Sequence, residues 1–377
     1  MKLVFFCNYL NHHQVLVADE LYRLLGSDYA FVATLPRNEK ELKGGADYSS
    51  RPYCILAGEN REAHDKAMRL AHIAEVCVFG ACSQEYAVCR AVHNPRGLSF
   101  ECGERWLKRG WLNVLSPVLR TWWLNYYRYY RKANFFKLCS GAFAAGDDRL
   151  LGAYKDRHYK WGYFSEVPFE YSHLGNEMSG KPIRLMWCAR FIWWKHPELA
   201  IECAKRLKTE GYEFLLDMYG DGVLRPNIER RIRKEDLSDK VKFRGNVSNN
   251  KIREAMKESD IFLFTSDRQE GWGVVANEAM AAGCCLVASD RIGAAPYLIR
   301  DGLNGYMFRD GNACSLFKMA KHLIDYPKER MGMAEQARKD MINIWSPRNA
   351  AESLLQLVDD LQNERGVSVK EGPCSKA

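Results

Sequence analysis

Hydrophobic positions along the 377-residue chain fall mostly in short runs bounded by polar or glycine-bearing loops. Such runs predict buried parallel strands. They occur at residues 2–7, 29–34, 53–57, 76–79, 136–142 and 159–164. A second set follows at 183–190, 214–218, 241–247, 262–264 and 284–289. Amphipathic segments at 15–25, 62–74, 199–207 and 349–361 predict helices between and after them. This alternation predicts an α/β chain of doubly wound parallel sheets. Residues 165–180 lack either period and carry Pro168, Gly175 and Gly180, which suits a linker. The expected organisation is a first domain over 1–166, a linker over 167–182 and a second domain over 183–346. A terminal helix over 347–365 then leads into a polar, disordered tail over 366–377.

Composition adds limits. Both domains hold enough apolar residues for a core, the chain being 47% hydrophobic. No run reaches the roughly 18 apolar residues that span a bilayer, and the apolar start at 2–7 is too short for a signal peptide. The thirteen cysteines form no C-x-x-C pair, and Cys284 and Cys285 are adjacent in an apolar run. They are expected to be reduced, buried thiols of a cytoplasmic protein, with no metal site.

The net charge of +8 is unevenly spread, for residues 105–146 contain no Asp or Glu. That excess implies an acidic partner. On a helical wheel of 118–132, Leu119, Trp122, Trp123, Tyr126, Tyr127, Tyr129 and Tyr130 share one face. Arg120, Thr121, Asn125, Arg128, Arg131 and Lys132 share the other, with Leu124 out of place. Aromatic and basic faces suit a helix at an anionic lipid interface, with Trp122, Trp123, Arg128 and Arg131 as its contacts and 104–137 as the membrane-facing segment. A helix that packs its aromatics into the core and exposes its arginines is the alternative. Nucleic acid stacking on these rings is a weaker reading, since no nucleic-acid motif accompanies them.

The candidate chemistry centres on residues 262–283, an apolar run, a loop with Gly271 and Gly273, and a helix-forming segment ending at Gly283. Strand, glycine loop and helix start together make an anion site. Glu270 and Glu278 bracket it, and carboxylates accept hydrogen bonds from paired hydroxyls. Such a site suits a nucleotide sugar, with its diphosphate between ribose and sugar. Arg190 at a strand end and Lys195 before a helix supply two cations for a diphosphate. Gly220 closes another strand on the same edge. In the first half, the loop with Asn11, His12 and His13 follows the first strand, where ligands collect in open α/β sheets. Capping of the next helix is the plain alternative for either histidine.

The spacing Glu270-x(7)-Glu278, set in EGWGVVANEAMAAG after IFLFTS, resembles the signature of retaining glycosyltransferases of family 4, which have the GT-B fold. The likeness is best over 184–305. It implies two Rossmann-like domains facing a central cleft, the second holding the donor. It implies that Gly271, Trp272, Gly273 and Val274 meet the diphosphate, Glu278 the ribose and Glu270 the donor sugar. Asn246 and Val247 would lie near the base. Arg190 and Lys195 would neutralise the leaving group, and His12 or His13, with Asn11, would face donor or acceptor. Tyr297 stands where the family often has Glu. The NYLNHHQ loop, the aromatic-basic stretch and WGYF look like a subgroup that builds bacterial surface polysaccharides.

The reaction so implied is metal-independent transfer from a nucleotide-diphosphate sugar, UDP-linked by preference, to a saccharide acceptor carried on lipid. It would take place on the inner face of the cell membrane, with no cofactor and no nucleic acid. No Asp-x-Asp, a metal–nucleotide carboxylate pair, is present. A nucleotide-sugar 2-epimerase of the same fold and a non-catalytic nucleotide-sugar-binding partner subunit are the alternatives. A dinucleotide oxidoreductase is disfavoured, because no G-x-G-x-x-G follows the first strand.

Overall fold

The computed structural model describes residues 1–36, 47–167 and 182–377. These form two units, Met1–Phe164 with Ile344–Ala377, and Ser165–Asn343. Of the linker expected at 167–182, residues 168–181 lie outside the described residues.

The first unit is built on seven strands, β1 (Leu3–Cys7), β2 (Tyr29–Ala33), β3 (Cys54–Leu56), β4 (Val76–Phe79), β5 (Leu98–Gly103), β6 (Phe135–Ser140) and β7 (His158–Trp161). Their order in the sheet is β3-β2-β1-β4-β5-β6-β7, with every pair parallel. β1, β2 and β4 are buried along their whole length, as their unbroken apolar runs require. β5 was not among the expected strands. Its sequence LSFECG alternates apolar and polar residues in place of an unbroken apolar run, and it pairs between β4 and β6.

Helices Val15–Leu25, Arg61–Ile73, Gln84–His93, Pro117–Arg128 and Ala144–Leu150 connect these strands, and helix Pro347–Gln362 packs on Val15–Leu25. The tail from 366 is not disordered as expected. Cys374 is fully buried, its N–H bonds to the Lys160 carbonyl at 2.7 Å, and Ala377 N–H reaches the His158 carbonyl at 3.2 Å. The reason is that β7 is an edge strand with unpaired backbone groups, and the tail satisfies them.

The second unit carries β8 (Ile183–Cys188), β9 (Phe214–Tyr219), β10 (Val241–Gly245), β11 (Ile261–Phe264), β12 (Cys285–Ser289) and β13 (Gly305–Phe308). The parallel order β10-β9-β8-β11-β12-β13 is the 3-2-1-4-5-6 arrangement, with its switch point between β8 and β11. One core joins β8, β9, β11 and β12 to helices Pro197–Thr209 and Ala313–Asp325.

A buried guanidinium holds one corner of the first unit. Arg90 is fully buried on helix Gln84–His93. It donates to the carbonyls of Ala71, His72, Ala74, Glu75 and Leu98 and to Ser99 Oγ. Most of these carbonyls end helix Arg61–Ile73, where the last turn lacks helical partners. Arg90→Met should leave several buried acceptors unpaired, at about 1–3 kcal/mol each. Urea unfolding should show a lowered midpoint with unchanged slope. An unchanged midpoint would mean that these carbonyls find other partners.

Candidate functional site

In the second unit the expected donor residues gather at the carboxyl ends of β8, β9, β10 and β11. Beyond β8 the chain passes Arg190 and a one-turn helix, Trp193–Lys195, before helix Pro197–Thr209. Arg190 is exposed, its guanidinium 5.7 Å from the centre of the Trp194 ring. Lys195 Nζ is bonded to Glu270 Oε2, so two loops distant in sequence meet in one ion pair.

That junction is fixed from beneath. The Trp187 indole N–H donates to Thr265 Oγ1 at 2.8 Å, and Thr265 Oγ1–H donates to the Lys195 carbonyl at 2.6 Å. Asp267 N–H donates to the Trp194 carbonyl at 3.0 Å. His196 adopts the left-handed conformation, φ +46°. Its ring lies 2.7 Å from Glu198 Oε1 and 3.4 Å from Asp267 Oδ2. The Glu198 contact, helped by Asp267 and opposed by burial, raises the His196 pKa. Thr265, Asp267 and His196 were not singled out in the sequence, because bracing residues carry no spacing signal.

The loop from Asp267 to Val274 leads into helix Val275–Ala282. Gly273 has φ +93°, and a Cβ there would lie 2.6 Å from the Phe264 ring, so only glycine fits. Gly220 is under the same constraint, since a Cβ would meet the Ala189 carbonyl oxygen at 2.0 Å. The loop after β12 holds this backbone in place, with Gly293 N–H on the Glu270 carbonyl and Ala294 N–H on that of Trp272. Glu278 lies in the first turn of the helix, 17% exposed, with Arg253 Nε 4.0 Å away. Burial raises its pKa, against the pull of Arg253.

The Trp272 side chain is fully buried and its N–H donates to Asn277 Oδ1 at 2.8 Å, which leaves only its backbone to meet a ligand. An indole of that size at the loop's base fills core. Val274 and Val247 are partly exposed and Asn246 is exposed beyond the end of β10.

In the first unit a cavity of about 410 Å³ opens by the ends of β1, β4 and β5. His13 lines it, stacked on Tyr163 with ring centres 5.2 Å apart. His12 is not among its lining residues, though its ring is 3.8 Å from that of His13. Asn11 caps the loop, accepting from His13 N–H through its side chain and from Gln14 and Val15 N–H through its carbonyl. Among the described residues no side chain caps helix Val15–Leu25, so neither histidine takes the capping role, while His13 takes the lining one. Glu101, Glu104 and Lys137, unforeseen from sequence, also line the cavity. Lys137 is fully buried and bonded to Glu101. Burial works to lower its pKa, but Glu101 with Asp148 outweighs that and raises it.

The aromatic face of helix Pro117–Arg128 is also corrected. Trp122 and Trp123 pack against the core rather than outward, and Trp123 Nε1–H donates to the Leu151 carbonyl at 3.0 Å. The stripe is the helix's core face, since its rings gain more burial against the sheet. What faces out is Arg120, Leu124, Arg128, Arg131 and Lys132, with Trp111, Leu112, Leu115 and Val118 before them. Among the described residues, no helix is long and apolar enough to cross a membrane.

Comparison with known proteins supports the second unit first. Residues 175–340 match the family described as Glycosyl transferases group 1. The amylovoran biosynthesis glycosyltransferase AmsK of Erwinia amylovora is 28% identical over 186 residues, 48% of this chain and 46% of that protein. The alpha-D-kanosaminyltransferase of Streptomyces kanamyceticus is 29% identical over 160 residues, 42% of this chain and 41% of that protein. The matched stretch thus spans less than half of either relative. Anabaena Alr3699/HepE, solved in complex with UDP, superposes with a TM-score of 0.72 at 14% identity, covering 96% of this chain and 100% of that one. Residues 175–340 are thus similar to the glycosyl transferases group 1 family, and the chain has the GT-B fold of two parallel-sheet Rossmann-like units.

Proposed function

We propose that the chain is a retaining glycosyltransferase that moves a sugar from a nucleotide-diphosphate donor, UDP-linked by preference, to a hydroxyl of a lipid-linked saccharide acceptor in cell-surface polysaccharide synthesis. One observation carries this reading. The exposed Arg190, the Lys195–Glu270 pair, the Gly271–Gly273 backbone and Glu278 lie on the strand-end loops after β8 and β11 and the helix start beyond, joined by that pair, in the unit that is similar to the family. The name of AmsK supports the polysaccharide setting, and the UDP bound to HepE supports the donor base.

In this reading the amides at the start of helix Val275–Ala282 receive the diphosphate. As the glycosidic bond to the diphosphate breaks, negative charge builds on the leaving phosphate. Arg190 and Lys195 would meet it. Lys195 carries three donors, so it can keep Glu270 while donating to a phosphate. Glu270 would hold the sugar's hydroxyls and Glu278 the ribose diol. In the first unit, His13 and the neighbouring carboxylates would receive the acceptor. Cations and amides suffice for the leaving-group charge, so no divalent ion is required at the diphosphate.

The outward apolar and basic residues of 109–132, with no acidic residue in the stretch, suit an anionic lipid surface carrying the acceptor. This keeps the peripheral inner-face location but moves its contacts from Trp122 and Trp123 to Trp111, Leu112, Leu115 and Leu124, beside Arg128 and Arg131. A 2-epimerase would need neither the lipid face nor an acceptor site. A non-catalytic partner would tolerate loss of Glu270.

The two glutamates should separate by ligand. Glu278→Ala should weaken UDP binding roughly tenfold to a hundredfold, the worth of charge-assisted hydrogen bonds at about 1.5–3 kcal/mol. Glu270→Ala should leave UDP binding within about threefold while removing transfer, read by calorimetry and a product assay. Equal transfer by Glu270→Ala and the unchanged chain would sink the enzymatic reading, and an epimerised product from donor alone would favour the rival.

Transfer should also proceed without added Mg²⁺ or Mn²⁺. Strict dependence on either ion would contradict diphosphate stabilisation by protein groups alone.

For the lipid surface, Arg128→Ala with Arg131→Ala should lower partition onto phosphatidylglycerol vesicles about thirtyfold, at about 1 kcal/mol for each cation. Adding Leu112→Ser and Leu115→Ser should abolish it. Unchanged sedimentation with vesicles would remove the membrane from the proposal.

A further inference from the structure

A second cluster, in the first unit, has chemistry that sugar transfer does not use. Cys139 on β6, Asp148 on helix Ala144–Leu150 and His158 at the start of β7 are all buried. The Cys139 Sγ, a carboxylate oxygen of Asp148 and a ring nitrogen of His158 lie within 4.8 Å of one another. Asp148 is 0% exposed and His158 1%. Among the described residues, neither oxygen of Asp148 and neither ring nitrogen of His158 has a hydrogen-bond partner. The nearest approach, His158 Nε2 to Asp148 Oδ2, is 3.4 Å and poorly aligned.

Folded proteins rarely leave four polar atoms unpaired in one buried spot. A small shift could join Asp148 to His158, but that would satisfy only one oxygen and one nitrogen. Lys137 bonds Glu101 and acts on Asp148 only through its charge, with no hydrogen bond to either Asp148 oxygen.

We propose that Cys139, Asp148 and His158 bind one zinc ion. A thiolate, an imidazole and a carboxylate are the ligand types zinc takes, and the mixed S, N, O set suits a borderline-soft ion better than Mg²⁺ or Ca²⁺. Zinc bond lengths place ligand atoms about 3.3–3.8 Å apart, so the cluster would draw in by about 1 Å. The charges close as well. Two positive charges on the ion meet one on the thiolate and one on the carboxylate, leaving a neutral centre fit for burial. Binding releases the Cys139 thiol proton to solvent. A water would complete the fourth position.

The site's role is structural, since none of its three residues is open to a substrate. It would staple β6, helix Ala144–Leu150 and β7. It would also support the chain's end, which covers it. Ala377 packs on Cys139, Ala144 and Ala145, its N–H bonds to the His158 carbonyl at 3.2 Å, and Arg149 Nη2 donates to its carbonyl at 2.8 Å. This assignment stands apart from the proposed transfer, and its test reads metal rather than activity.

The full chain, free of affinity tags, is analysed by mass spectrometry for zinc, stripped with dipicolinate and titrated with Co²⁺. About one zinc per chain is expected, then a thiolate-to-cobalt charge-transfer band saturating at one equivalent. Cys139→Ser should lose the band, His158→Gln should lose bound metal, and Cys314→Ser, at the exposed cysteine, should keep both. If the Cys139 and His158 variants do not fold, the unaltered chain still decides the matter by its zinc content and cobalt band. Zinc far below stoichiometric with no cobalt band would overturn the site. So would a band that survives Cys139→Ser or disappears with Cys314→Ser, which would mark an adventitious ion only.

Discussion

The ion pair between Lys195 and Glu270 ties together the ends of β8 and β11, 75 residues apart in the chain. Everything at the candidate donor site depends on that tie. A lysine alone is a flexible point charge, and a loop glutamate alone samples many rotamers. Joined at the switch point of the sheet, each limits the other. The Thr265 hydroxyl on the Lys195 carbonyl and the Asp267 amide on the Trp194 carbonyl then fix the backbone beneath them. The Lys195 and Glu270 charges are thereby held in one arrangement by the protein itself, the kind of preorganisation that the proposed transfer would use.

The cost of this arrangement is visible in the loop backbones. His196 holds a left-handed conformation that non-glycine residues seldom adopt, with Glu198 and Asp267 on its ring. Gly273 and Gly220 stand where any Cβ would strike a neighbour. The core indole of Trp272 props the loop from below. Strained or tightly fitted backbone gathered at one sheet edge is characteristic of binding sites, where rigid strands carry the loops.

In the first unit, buried polar groups shape the structure as strongly as the apolar core does. Arg90 gathers the carbonyls at the end of one helix, and the Lys137–Glu101 pair sits against the cavity that His13 lines. The aromatic helix shows the competition between two solvents for the same side chains. Its rings go inward because the sheet offers a larger, drier surface than an interface would. That leaves the basic residues and Leu124 outside with the apolar turn at Gly110–Leu115.

The sequence alone determined the two parallel sheets and the position of the donor loop. Several of the buried parallel strands are unbroken apolar runs, and the loop after β11 carries Gly273 where a Cβ would strike the Phe264 ring. Both features are local and leave a pattern, as at 262–283. β5 is harder to read because it alternates apolar and polar residues, a pattern shorter and weaker than an unbroken apolar run. The tail was misread because polar residues say nothing of an unpaired strand edge. Only the tertiary structure decided which face of helix Pro117–Arg128 is core, that Trp272 is packing, that His13 rather than His12 lines the cavity, and that Cys139, Asp148 and His158 share one buried spot. Each of these depends on distances between residues far apart in the chain, and no local spacing encodes such distances.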